Sequence, residues 1–174
     1  QGEAEVARID FFRSINNFPI VGPVHREGLI RMIVGVPENT EDKELNGAII
    51  KKSPYIYYKV RGIEPVSQAI YPLLPVSIAW SEVAKGNGVI SRIKPANQSV
   101  FEEYQPVEIS EILITDIYLA YYDSVQNQPY LQPVYVFEGN YIGPGNTKGS
   151  ISVYYPAISG EYIKQESPNN AVQK

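Results

Sequence analysis

The run at residues 109–123 constrains this chain more than any other. In an extended conformation Ile117, Leu119 and Tyr121 fall on one side and Tyr118, Ala120 and Tyr122 on the other, so both faces carry bulk. A long strand of this kind is expected inside a sheet, covered by a helix on one face and by aromatic or partner contacts on the other. Two further runs follow it: Tyr130-Leu-Gln-Pro-Val-Tyr-Val-Phe-Glu138 and Ser150-Ile-Ser-Val-Tyr-Tyr155. They are separated by a polar turn at 124–129 and a glycine-rich loop at 139–149, which predicts a three-strand antiparallel meander. Pro133 removes a ladder donor and places its strand at an edge, or points that position outward.

Upstream, residues 5–13 alternate, with Ala7, Ile9 and Phe11 on one side and Arg8 and Asp10 on the other, the pattern of a half-buried strand. Residues 28–35 form a continuous apolar run between glycines, a central strand, and 53–61 a third, rich in aromatic and β-branched residues. The acidic stretch 37–47 reads as a loop or a short surface helix. One convincing helix is predicted at 77–85, with Ser77 as N-cap, Lys85 at the C-terminal dipole and Gly86 or Gly88 as the left-handed stop. Its stripe of Ala79, Trp80, Val83 and Ala84 allows close approach to a sheet, and a strand at 89–94 runs back from it. A polar loop at 96–108 joins that strand to the long one. The fold class is therefore α+β: mainly antiparallel sheet with one principal helix packed on it. A strand-rich half at 3–64, a helix-plus-meander half at 65–165 and a polar tail at 166–174 describe its organisation, the two halves being compatible with one continuous domain.

Chemistry is narrowly bounded. The chain has no Cys and one His, so disulfides, thiolate nucleophiles, iron–sulfur clusters and the usual multi-His metal cages are out of reach. No metal site and no cofactor is expected. No GxGxxG, P-loop or GxSxG pattern occurs, and the glycines at 139–149 lie in a hairpin context rather than between a strand and a helix. A net charge of -4 argues against nucleic acid as a partner. His25, between Pro23 and Arg26-Glu27, is expected to be exposed or locally bonded.

Asp116 interrupts the apolar run and is the candidate functional carboxylate; its alternative is a solvent-facing strand position or an ion pair with Arg92 or Lys94. A carboxylate hydrolase would combine Asp116 with Glu138. The most unusual investment is 14 tyrosines, several of them on the three meander strands. Alternation suggests that Tyr118, Tyr122, Tyr135 and Tyr155 share one surface suited to protein, peptide or glycan; the plainer alternative is that tyrosine simply forms strands well.

At residues 70–155, the order Ile70-Tyr-Pro-Leu, a helix with Ala79-Trp80 ending at Lys85-Gly-Asn-Gly, a strand, Ile117-Tyr-Leu-Ala-Tyr-Tyr and Tyr130-Leu-Gln-Pro-Val-Tyr-Val-Phe-Glu-Gly139 resembles extracytoplasmic regulatory domains of the YycH/YycI type and, more loosely, PepSY-like modules. The resemblance implies a domain held outside the membrane by an N-terminal anchor and acting on a cell-envelope protein. Gln1 in place of Met is compatible with removal of such a segment, and no run within 1–174 spans a bilayer. The expected function is a non-enzymatic extracytoplasmic protein-interaction or regulatory domain. A glycan- or peptide-binding module of the cell envelope is the alternative, and the hydrolase is third.

Overall fold

A computed structural model describes residues 6–28, 30–35, 43–45, 48–50, 55–58, 69–98, 106–124, 128 and 130–163. The strands β1 (Val6–Phe11), β2 (Ser14–Ile15), β3 (Phe18–Val21), β4 (Ile30–Gly35), β5 (Lys43–Leu45), β6 (Ala48–Ile50) and β7 (Tyr55–Tyr58) precede the helix α1 (Val76–Ala84). After it come β8 (Val89–Pro95), β9 (Glu111–Tyr122), β10 (Gln132–Ile142) and β11 (Lys148–Pro156). The fold is α+β, with one main helix against a curled, mostly antiparallel sheet. No helix among the described residues is long and apolar enough to cross a membrane.

The main sheet has the order β2-β3-β9-β10-β11-β8, and β1-β4-β7 form a second, three-stranded sheet. The meander β9-β10-β11 stands as expected, with β8 added on its far side. β10 is a central strand despite Pro133. Proline is tolerated there because position 133 lies at the end of the ladder to β11: its carbonyl accepts the Ala157 N–H at 3.0 Å, and only the return donor is lost. The loop expected at 139–149 shrinks to its middle, because Gly139 to Ile142 continue β10 and Lys148 and Gly149 open β11. Gly139 is a packing glycine: a Cβ there would collide with the Leu113 carbonyl and lie 2.8 Å from Ile114 Cα. The β9–β10 register shifts beside it, between Glu138 and Gly139, leaving Thr115 as the extra residue of a bulge.

The two faces of the meander have different covers. On the helix side Tyr135, Phe137, Tyr141, Ile151 and Val153 pack with Ala79, and the Trp80 ring lies 6.0 Å from that of Phe137. On the opposite, loop-side face Val134, Val136, Ala120 and Tyr154 pack with Val21 of β3. The helix begins one residue earlier than expected, and Ser77 is not its cap: Pro75 holds that position with no side-chain cap bond. Pro75 fixes φ for helix entry without needing a donor. Gly86, at φ +87°, takes the left-handed conformation just beyond Lys85.

Two expectations for the N-terminal half are corrected. Residues 43–45 are β5, paired with β6 as a hairpin, rather than loop or helix; the rest of 37–47 lies outside the described residues. In β1 the period of two holds but the buried side is reversed. Ile9 and Phe11 are exposed, whereas the Arg8 and Asp10 side chains keep only 12% and 13% of their exposure. Asp10 causes the reversal: it accepts the Gly28 N–H at 2.9 Å and an Arg8 N–H at 2.7 Å, and pairs with Arg31 at 3.4 Å. An anion with these donors is more stable turned inward than an apolar side chain with no cover.

Candidate functional site

The tyrosines divide. Register puts Tyr135 opposite Tyr155, and Tyr118 opposite Val136. Tyr135 and Tyr155 therefore belong to the helix side, while Tyr118 and Tyr122 belong to the loop side with Tyr154. The sequence-derived set of Tyr118, Tyr122, Tyr135 and Tyr155 does not share one surface. Tyr135 is buried and donates its hydroxyl to the Leu74 carbonyl at 2.7 Å; the other three are half-buried. Asp116 is exposed on β9, paired in register with Glu138, and accepts the Ile117 N–H at 2.9 Å.

On the loop side the structure assembles a cluster that was not expected from the sequence. The turn following β3 carries His25 over the meander, where it is 4% exposed rather than solvated. Its Nε2 is hydrogen-bonded to Glu138 of β10, and its Nδ1 lies 3.1 Å from the Tyr154 hydroxyl of β11. Tyr118 of β9 donates to Glu138 Oε1 at 3.0 Å, and Arg26 donates to Oε2 at 2.8 Å. The Tyr154 hydroxyl is equally placed to donate to the Gly22 carbonyl at 3.1 Å. Arg26 has φ +60°, a conformation that swings its guanidinium to the same carboxylate as its neighbour's imidazole.

Charge and burial set the protons. Burial alone would raise the Glu138 carboxyl, but hydrogen bonds from Arg26 and His25, the charge of His25 and the Tyr118 hydroxyl hold it down at about 2. Burial pushes His25 below its ordinary value, against the pull of Glu138. Burial, followed by the charge of Glu138, pushes Tyr118 up; burial is also the main force raising Tyr154. A neutral His25 then donates from Nε2 to the carboxylate and offers Nδ1 to Tyr154.

The order Glu138, His25, Tyr154 has the connectivity of a carboxylate-oriented base and a hydroxyl. Its environment works against that chemistry. Tyr154 is 5% exposed, its hydroxyl is made less acidic rather than more, and Glu138 is ionised with no proton to give. The cluster's chemical capacity is to tie three strands and a turn together. The sequence signal for it was Glu138 itself, a lone carboxylate ending the apolar run 134–137 and so in need of buried partners.

Beyond the cluster, the same sheet face continues into an open groove of about 560 Å³, whose lining includes Lys94, Glu111, Leu113, Asn140, Lys148 and Ser150. Among the described residues no group of three His, Asp or Glu side chains is placed to hold a metal ion. Compared with protein-family models, with curated proteins and with solved structures, the chain matches none.

Proposed function

We propose that this chain is a non-enzymatic interaction domain of regulatory kind, working outside the cytoplasm and pairing an extended strand of a cell-envelope protein with the outer edge of β9. The observation that carries this reading is that edge. β3 pairs with β9 only at Tyr121 and Tyr122, and among the described residues no strand pairs with the outer side of Glu111 to Leu119. Leu113 (62% exposed), Ile112 and Ile117 (38%) lie along it, an apolar edge that monomeric proteins ordinarily cover or charge. A partner strand would gain main-chain hydrogen bonds there and apolar contact with Ile112 and Ile117. Further support comes from residues 70–155, which form a helix bearing Ala79 and Trp80 on an antiparallel sheet, the arrangement that the YycH/YycI-type and PepSY-like resemblance implies. The tyrosine surface gives way to this edge because its rings are divided between two covered faces.

A photo-crosslinker at Leu113, in the full chain in its native cells, should capture a discrete protein, whereas one at the exposed Ser81 of α1 should not. Capture should disappear in the Ile112→Lys/Ile117→Lys double variant. Equal capture at both positions, or capture indifferent to the lysines, refutes the reading. The alternative of a glycan- or peptide-binding module is favoured by one observation, the groove with Asn140, Ser150 and two lysines in its lining.

A further inference from the structure

We propose that the outer edge of β8 binds an extended acidic segment of a partner protein, with alternate carboxylates of that segment meeting Arg92 and Lys94. The inference concerns the opposite edge of the sheet from β9 and stands or falls independently of it.

Arg92 is the starting point. It is half-buried on the loop-side face, opposite Ser152, and its guanidinium makes no hydrogen bond or ion pair among the described residues. Its nearest charges include two positive ones, Arg26 and Arg8, and two negative ones, Glu27 and Glu138. Both carboxylates are already engaged. Glu138 is held by Arg26 and His25, and Glu27 by Arg31 at 2.8 Å and Arg8 at 4.0 Å. Asp10 is shared by Arg8 and Arg31. Of the guanidiniums of Arg8, Arg26, Arg31 and Arg92, that of Arg92 alone is in no ion pair among the described residues. Burial and the neighbouring arginines accordingly push Arg92 below its ordinary value. A half-buried cation among like charges is destabilising unless an anion joins it.

The surroundings fit an extended anion rather than a compact one. Lys94 lies two residues along β8 on the same face, opposite Ser150, and Lys148 joins it in the groove lining. In a strand, residues i and i+2 share a face at a spacing of roughly 6.7 Å, so an extended acidic segment repeats its carboxylates at the pitch of Arg92 and Lys94. Among the described residues β8 is the last strand of its sheet, so its outer edge offers a main-chain ladder, beside which Val89 (66% exposed) and Ile90 lie open. A protein of net charge -4 does not attract acidic chains through its overall field, so this strip would have to supply the attraction locally.

The test uses the full chain and a fluorescent peptide alternating Val and Asp, with anisotropy measured at low salt. An isomeric peptide with its aspartates in one block serves as comparison. The alternating peptide should bind more tightly than the block isomer, weaken about tenfold or more in Arg92→Gln, and weaken less in Lys94→Gln. Lys85→Gln, which removes a charge already paired with Glu82, should leave binding unchanged. Inorganic phosphate at the peptide's concentration should not displace it. Arg92→Gln should melt at the same or a higher temperature than the parent, because it removes an uncompensated charge. Equal binding by Arg92→Gln, equal binding of the two isomers, displacement by phosphate, or no binding at all would overturn the proposal. A lower melting temperature in Arg92→Gln would overturn the claim that Arg92 is uncompensated.

Discussion

The imidazole of His25 and the carboxylate of Glu138, 113 residues apart in the chain, are hydrogen-bonded beneath a turn that also delivers Arg26 to the same carboxylate. This contact joins the segment after β3 to the middle of the main sheet. It also gives the protein an acid-sensitive element, because the carboxylate is stable there only while ionised.

Glu138 should dominate the acid limb of the stability profile. Its carboxyl falls from an ordinary 4.5 to about 2 on folding, so the stabilisation is fully present above pH 4.5 and is lost as pH falls toward 2. The difference corresponds to about 3 kcal/mol. Glu138→Gln should lose about 2–4 kcal/mol at neutral pH and flatten the limb between these values, as read by urea denaturation across pH. An unchanged acid limb would show that the carboxylate is not held by the cluster.

His25 is the only histidine, so its ring is a clean reporter in nitrogen-15 NMR. Its folded value lies below 6.5, so more than half of it should be neutral at pH 6.5, with a midpoint at lower pH; its stabilising contribution is present above 6.5 and declines as pH falls through the folded value. In Glu138→Gln the midpoint should drop further, since the main influence raising it is gone. A midpoint at or above 6.5 would contradict burial as the dominant influence.

Tyr154→Phe leaves the ring in place and removes the hydroxyl that lies between His25 Nδ1 and the Gly22 carbonyl. The variant should lose about 1–2 kcal/mol in thermal or chemical denaturation, with a shift in the His25 Nδ1 resonance. Tyr135→Phe, on the other face, should lose a similar amount through the Leu74 carbonyl and leave the His25 resonances unmoved.

Gly139→Ala should be far more damaging than its size suggests. The added carbon meets the backbone of β9, which cannot yield as a side chain can, so a loss of at least about 2 kcal/mol is expected. Gly22→Ala, where nothing lies within 4 Å, should stay within about 0.5 kcal/mol. Similar losses in the two variants would argue against the close approach of β9 and β10.

The sequence by itself determined the class and the longer elements. Period-two alternation located β1, β9, β10 and β11, the stripe of Ala79 and Val83 located the helix, and their order gave an antiparallel meander with one helix against it. Alternation states which residues of a strand share a face; it does not state which face will be covered. That is why β1 buries Arg8 and Asp10 instead of Ile9 and Phe11, and why tyrosines from adjacent strands fall on opposite sides of the sheet. The register between strands decides both, and register depends on bulges such as the one at Thr115 and on partners far away in the chain. His25, Arg26, Tyr118, Glu138 and Tyr154 share no local motif, because they meet only when a turn from the N-terminal part closes over three strands. Local pattern carries information over a few residues, whereas burial and charge pairing are settled by the packing of the whole molecule, and only the tertiary structure could show this cluster or an Arg92 guanidinium with no ion pair among the described residues.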